Sequence, residues 1–474
     1  MIGRIVAGAC VAGLVAYGGV VAYLTHYDHA GAPVLPVASP TNKDPVALAA
    51  FNVISGARCD YCHTANAKLP FYFHLPVARQ LMAHDLETGL RHFRLEPVLD
   101  SFRTGTPAGV EQLSRIEEVI NQNRMPPPQY LLMHWHAYLT KSDRAAVIAW
   151  IDQTRRTTYR TAGVADRFSA EPVQPIPESL PVNAAQAELG RRLFFEKGLS
   201  EDGSMTCASC HGLGTGGVDN RVTADGIHHQ TGPINVPTVY DSVFNMSQFW
   251  NGRAASLADQ AAGPVMNPIE MGSHDWAEVA RKVGADPTYV DAFHAVYGES
   301  ATIDRTTITA AIAEFEKTLI TPDSRFDQYL KGDETAITAQ EKHGYDLFKS
   351  VGCSGCHSGV AMGGQAYEVM GLEGPYFTDR GSPVQKVDEG RRAVTNADAD
   401  LNRFKVPNLR NVALTAPYFH DGSAKTLTDA VREMARYQTP DHNMSDADIA
   451  DIVAFLKTLT GKYQGQTLGA AAVQ

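Results

Sequence analysis

The chain has 474 residues, with 41 Lys and Arg against 52 Asp and Glu, for a net charge of −11. That balance argues against a nucleic-acid partner and offers no polybasic surface for anionic lipid. Six of the seven cysteines fall in three pairs at one repeated spacing, leaving only Cys10, which excludes a disulfide framework.

In chain order, Ile5 to Leu24 form an uncharged apolar run, about the 20 residues that cross a bilayer as a helix. We expect one N-terminal transmembrane helix within an anchor segment, residues 1–28. A cleaved signal is disfavoured because the Ala30-Gly31-Ala32 site is followed by Pro33. Lipidation is not expected at Cys10, since Ala7 stands where an aliphatic residue normally precedes the lipidated cysteine. Arg4 precedes the run and no Lys or Arg follows until Lys43, so the positive-inside rule places the remainder outside the cytoplasm. This predicts a single-pass protein of a bacterial inner membrane, with its domains in the periplasm. Residues from His29 to about Asn42 read as a flexible Pro/Ala/Gly-rich tether.

Cys59-Asp-Tyr-Cys62-His63, Cys207-Ala-Ser-Cys210-His211 and Cys353-Ser-Gly-Cys356-His357 share one pattern and an almost even spacing. Two thiols can form thioethers with porphyrin vinyl groups while the adjacent His reaches the iron, so each motif encodes attachment and ligation of a c-type haem. Structural zinc would need a second Cys/His pair in each unit, and there is no second Cys pair. Three covalently bound haem c groups are therefore expected, in domains spanning 29–165, 166–332 and 333–474.

Predicted helices run over Ser142–Thr157, with Ser142 as N-cap and Val147, Ile148 and Ile151 on one face, then over Asn183–Phe195 and Thr306–Ile320. Two more follow, over Thr338–Ser350 and over Ser445–Leu459, the latter with Asp448 at the capping-box position. Between the first two domains, Ser169–Val182 carries four prolines and reads as an extended connection. The fold class is mainly α: three cytochrome c-like haem domains with long loops, preceded by one N-terminal transmembrane helix.

An iron that only carries electrons is best six-coordinate, whereas one that reacts with peroxide needs an open sixth position. For the first haem, Met125 in the Pro-rich Asn123–Tyr130 loop is the candidate distal ligand, with Met133, His134 and His136 as rivals.

From about Pro181 onward the chain resembles bacterial dihaem cytochrome c peroxidases. The resemblance rests on Gly232–Met271 and on Phe404–Ser423, which contains Pro417-Tyr-Phe-His-Asp-Gly422. With the anchor and the additional N-terminal domain, the chain is similar to the trihaem membrane-anchored subgroup, some members of which act as quinol peroxidases. The resemblance implies Met434 as distal ligand of the third haem, in preference to Met362, Met370 or Met444. It implies a peroxide pocket at the middle haem with Glu270 as general acid/base and Gln260 as hydrogen-bond partner. Trp250 is implied between the two haems, and a calcium ion at Asn235 and the backbone near Thr415 and Pro417. One departure stands out: where family members carry a His that ligates the oxidised middle haem, this chain has Ile227, followed by His228 and His229.

The resemblance thus implies reduction of hydrogen peroxide to water, with quinol or a soluble cytochrome c or cupredoxin as donor, and admits a homodimer. A non-catalytic electron carrier would have no use for the Gln260/Glu270 pair. An oxidase that modifies a partner protein would lack the thioether that Met434 supplies.

Overall fold

The computed structural model describes residues 2–440 and 444–469. Helices dominate, as expected, and the only ladders among these residues are two short antiparallel pairs, Tyr367–Val369 with Arg403–Lys405 and Lys462–Tyr463 with Gln466–Thr467. The chain divides into two compact units, 1–159 and 160–474, so the second and third haem motifs share one body.

In the first unit the helices Pro45–Gly56, Glu96–Thr104, Val110–Asn121 and Lys141–Thr154 enclose a core around Ala50, Val98, Leu113, Val147 and Ile151, all fully buried. The N-terminal helix, Ile2–Gly31, continues past the apolar run. Its last turns are held by Asp28, which is fully buried and accepts from Tyr61 Oη at 2.8 Å, while His134 Nδ1 lies 2.7 Å from its other oxygen. The Arg58 guanidinium donates to the Asp28 carbonyl at 3.0 Å. The segment read as a flexible tether is fastened as well: Ser39 Oγ and Thr41 Oγ1 donate to the Phe102 carbonyl at 2.6 and 2.7 Å. Buried side-chain bonds of this kind hold a segment that composition alone marks as loose.

The closing helix of this unit is capped by Thr140, not Ser142. Thr140 Oγ1 accepts from Asp143 N at 3.2 Å and Asp143 returns the bond to Thr140 N at 2.8 Å, so both orphan donors are satisfied reciprocally.

In the second unit, two helix pairs repeat one packing device. Ala184–Phe194 crosses Arg305–Glu316 so closely that a Cβ at Gly190 would lie 1.8 Å from the Ala311 carbonyl oxygen. Ala339–Ser350 crosses Asp446–Lys457 in the same way, with a Cβ at Gly344 only 2.0 Å from the Asp451 oxygen. Asn183, Asp304, Thr338 and Ser445 cap these four helices. The opening–closing pair around a Cys-X-X-Cys-His motif is what the sequence pattern predicted, once for each motif of this body.

The Pro-rich stretch is extended, but it is not a free connection. Val173 is fully buried and forms a parallel bridge with Gly359, Ile176 is buried, and Arg410 Nη2 donates to the Gln174 carbonyl at 2.8 Å. The opposite nitrogen of Arg410 pairs with Asp327 at 2.9 Å, both side chains wholly excluded from solvent.

Candidate active site

Each Cys-X-X-Cys-His motif forms a single helical turn: Asp60–His63 with Cys59 as its cap, Cys207–Cys210, and Cys353–Cys356. The three histidines share one arrangement. His63 Nδ1 faces the Phe93 and Gly89 carbonyls at 3.1 and 3.2 Å, His211 Nδ1 faces Gly217 O at 3.1 Å, and His357 Nδ1 faces Met362 O at 3.1 Å. A carbonyl acceptor fixes the proton on Nδ1 and leaves the Nε2 lone pair free for a metal. Burial pulls the pKa of His63 and His211 down and that of His357 to about 4, so all three rings stay neutral. All six motif cysteines are free of disulfides. Thiols in pairs outside any disulfide, each pair followed by a neutral imidazole with a preset tautomer, fit a c-type haem.

The third motif opens onto a cavity with Cys353, Cys356 and His357 in its wall. Met434, on the helix Leu427–Gln438, shares that lining, as do Met370 and Met444, whereas Met362 is fully buried. The sequence-predicted thioether and the haem motif are thus brought together.

Trp250 reaches the same cavity from the middle-haem segment. Its Nε1 donates to Asn235 O at 2.9 Å, and Asn235 N donates to His420 O at 2.8 Å. The His420 ring stacks on Phe404 at 4.3 Å and meets the Trp250 ring edge-on at 6.4 Å. Its Nε2 lies 2.7 Å from Asp388 Oδ1, and Arg380 bridges Asp388 and Asp421, both at 2.8 Å. Burial works to raise the Asp388 pKa, but Arg380, the Gln385 N–H and His420 outweigh it and bring it to about 2.

Asn235, Thr415 and Pro417, the calcium candidates, line this cavity too. The Asn235 amide donates to the Arg221 and Val222 carbonyls at 2.8 and 3.3 Å, and Thr415 Oγ1 donates to Val412 O at 3.2 Å.

Sequence reasoning missed Lys405, only 6% exposed on the cavity wall and lowered by burial to about 8. A buried cation there suits a haem propionate. The strand Arg403–Lys405 buries Phe404 and Lys405 in succession, so alternation gives no signal for Lys405, and a lysine in such a position normally reads as solvated.

At the middle motif, Glu270 follows the helix Leu257–Met266, on which Gln260 sits, half-buried. Asn267 Nδ2 donates to Glu270 Oε1 at 2.7 Å. Burial raises the Glu270 pKa, opposed in part by Arg253 and Asn267. Glu270 also acts electrostatically on Cys210, which ties it to the haem-attachment turn. Arg253 lies 3.4 Å above the Phe249 ring, and that ring fits against Gly263, where a Cβ would meet it at 3.2 Å.

The loop with the His-to-Ile departure packs directly on this site. Ile227 is fully buried, and its N–H donates to the Glu270 carbonyl at 2.9 Å. His228 and His229 are exposed, with left-handed φ of 55° and 57°. His228 turns toward Glu201 at 3.3 Å and Asp202 at 3.6 Å.

At the first motif, Met125 is 36% exposed and lies outside the cavity beside Cys62, which takes in Met82, Tyr130, Met133 and His134. Both ring nitrogens of His134 are engaged, Nδ1 by Asp28 and Nε2 by Tyr72 Oη at 3.0 Å. His136 is drawn to the same carboxylate, at 3.5 Å. His134 is thus engaged at both ring nitrogens, whereas His136 Nε2 is buried without a hydrogen-bond partner.

Comparison with known proteins gives three family matches: di-haem cytochrome c peroxidase over residues 184–335, a haem-binding domain over 16–153, and cytochrome c over 341–460. The chain is 43% identical over 463 residues to the cytochrome c peroxidase Ccp of Escherichia coli, covering 98% of both chains. It is 48% identical to the cytochrome c551 peroxidase of Nitrosomonas europaea, over 67% of this chain and 92% of that one. A crystal structure of a MauG-like protein associated with microbial copper homeostasis superposes with a TM-score of 0.54 and 30% identity, covering 61% of this chain and 93% of that one.

Proposed function

The chain belongs to the di-haem cytochrome c peroxidase family and is a haem peroxidase; from that premise we propose a membrane-anchored, periplasm-facing enzyme with three haem c groups that takes its electrons from quinol. The haem held by Cys207, Cys210 and His211 would bind peroxide and supply the electron transfer that breaks its O–O bond. Glu270 would move the proton between the two peroxide oxygens, to the one that leaves as water. A carboxylate whose pKa is raised by burial can both accept and return a proton near neutral pH. Asn267 fixes its orientation, Arg253 provides positive charge beside it, and Gln260 offers a hydrogen bond without exchanging protons.

The observation that carries this reading is the half-buried Glu270, held by Asn267 beside the middle motif. Met434 would complete the third haem, from which Trp250 leads toward the middle one. Met125 remains the proposed ligand of the first haem on its Pro-rich loop, since both ring nitrogens of His134 are engaged; haem attachment would have to draw it inward. The exposed positions of His228 and His229 support a middle iron that is not closed by histidine in the oxidised state. Calcium would be held by oxygen donors of Asn235, Thr415 and Pro417, the hard type this ion takes.

One helix, Val6–Gly31, is long and apolar enough to span a membrane, a property that a signal sequence shares. Its continuous connection to the first haem-bearing unit supports an anchor and a lipid-soluble donor. The test is peroxide consumption by the detergent-solubilised holoprotein with reduced quinol as sole donor. Turnover supports the reading; activity only with a reduced soluble cytochrome or cupredoxin assigns the donor to that class instead.

A further inference from the structure

The first unit carries an apolar face beside the N-terminal helix that the chemistry at the haem motifs does not use. Phe71, Leu75, Val77 and Leu81 are 51%, 55%, 80% and 55% exposed, and Leu132, Trp135 and Tyr138 are 64%, 57% and 60% exposed. They lie in two segments, 71–83 and 128–139. Arg79 is the one charged side chain of the first segment, and the second contains no Lys, Arg, Asp or Glu. Exposed apolar residues scattered singly are ordinary, whereas a cluster of this extent marks a contact face.

Both segments are fastened to the outer half of the helix. The Tyr17 hydroxyl donates to the Leu132 carbonyl, and its ring meets Trp135 edge-on at 5.7 Å. Further along, Tyr23 and Tyr27 meet Phe71 at 5.9 and 6.0 Å, and Val21 and Leu24 are buried. The bond to Leu132 also satisfies the one polar atom that Tyr17 would otherwise carry bare into hydrocarbon.

Helix length then decides where the membrane lies. The apolar run Ile5–Leu24 is about 30 Å long, the thickness of the hydrocarbon core, so the whole run is needed to span it. Residues 6–16 are all exposed, but this free part, up to Tyr17, supplies only about 18 Å. The remaining ~10 Å, from Tyr17 to Leu24, runs where the helix touches the two apolar segments. A bilayer that covers the whole run therefore covers those segments as well.

We propose that segments 71–83 and 128–139 are immersed in the outer leaflet of the membrane that the helix spans, so that the first haem-bearing unit rests in the lipid instead of standing above it on a stalk. The proposal rests on the anchor reading above and adds the membrane-contact face. An immersion of about 5–10 Å is the usual depth for an apolar face at the headgroup and acyl boundary. Arg79 reaches the headgroups with its long stem in the apolar layer. The helix Pro76–His92 has Val77, Ala78, Leu81 and Met82 in its first turns and Asp85, Glu87 and Arg91 toward its other end. That far end packs on the first haem motif: a Cβ at Gly89 would lie 2.3 Å from the Cys62 carbonyl oxygen. From Val77 to Gly89 is about 18 Å of helix, which sets the first haem motif within that distance of the lipid.

The test uses the full-length holoprotein in nanodiscs of phosphatidylethanolamine and phosphatidylglycerol, a fraction of the lipid carrying a diazirine within its acyl chain. After photolysis, labelled peptides are mapped by mass spectrometry. The expected result is acyl-chain label on 71–83 and 128–139 as well as on 6–16, and none on the helix Val110–Asn121, where Arg115 donates to the His92 carbonyl at the far end of Pro76–His92. Val77→Glu and Leu132→Glu alter exposed positions that do not line the cavity beside Cys62, and each should cut the label on its own segment about tenfold. Unchanged haem optical bands establish that both variants are folded. Label on the helix alone, with both segments clean, overturns the immersed face and leaves the anchor standing. A helix without label, or a mature chain that begins beyond it, overturns both. Segments that escape lipid label and are instead cross-linked to a second copy assign the face to self-association and overturn the proposal.

Discussion

Asn267 Nδ2 donates to Glu270 Oε1 across 2.7 Å, and the same Glu270 offers its backbone carbonyl to Ile227 N at 2.9 Å. The acid/base candidate is therefore clamped from both sides, its side chain by a neighbour and its backbone by the loop that carries the His-to-Ile departure. Glu270→Gln should lower kcat/KM for peroxide by about 10² to 10⁴, the usual worth of a positioned proton-transfer group. Asn267→Ala removes a hydrogen bond to the ionised form and so raises the Glu270 pKa further. Activity that needs the carboxylate is lost as pH falls through that pKa, so the acidic limb of the pH–rate profile should move to higher pH. An unmoved limb would remove Glu270 from the role.

Asp388 has its folded pKa lowered to about 2 by Arg380, Gln385 N and His420, against burial. A depressed carboxylate contributes stability that is fully present above its unfolded value of about 3.9 and disappears as pH falls through the folded one. The second unit should thus resist mild acid and lose this contribution between about pH 4 and pH 2. Asp388→Asn breaks a buried network from one side and should cost about 3 kcal/mol in denaturant unfolding at pH 7, with the acid-dependent part abolished.

Gly190 and Gly344 mark the two tightest helix crossings. A methyl group at either would stand 1.8 to 2.0 Å from a backbone oxygen and cannot be accommodated by a rotamer change. Gly190→Ala and Gly344→Ala should each cost about 1–3 kcal/mol through forced separation of their helices. Gly163→Ala is the comparison for a positive-φ glycine with open space around it, and its cost should be confined to backbone strain.

His228 and His229 both hold left-handed backbone angles. If neither is needed by the middle iron, His228→Gly should stabilise the protein by about 1 kcal/mol, by relieving the penalty a side chain pays there. It should leave the electron paramagnetic resonance spectrum of the oxidised protein unchanged. A wholly low-spin bis-histidine signal that this substitution abolishes would reverse the reading.

Much of the second unit was legible because its signals are local. Asn183, Thr338 and Ser445 open the predicted helices and prove to be their caps, and Met434 shares a cavity with His357 as the family motif implies. What escaped depends on partners distant in the chain. Nothing near Asp28 announces that Tyr61 and His134 will bury it, so the helix was expected to stop and a tether to begin. Thr140 and Ser142 are both plausible caps by residue type, and only the reciprocal bond to Asp143 separates them. Met125 fits a ligand loop by composition, and the structure leaves it part-exposed outside the cavity beside Cys62, which Met82 and Met133 line.

The buried course of Val173 to Ile176 bears on how this enzyme can be cut. A fragment beginning at the helix Ala184–Phe194 would look complete by its motifs, but it would lack the bridge to Gly359 and the carbonyl that Arg410 donates to. Arg410 pairs with Asp327 in a solvent-free setting, so removing that carbonyl would leave a buried guanidinium short of an acceptor. The smallest self-sufficient two-motif fragment therefore starts near Arg160, where the second unit itself begins. The proline-rich stretch is a structural part of the second unit, and a gene truncation that treats it as spacer removes contacts that this unit is built on.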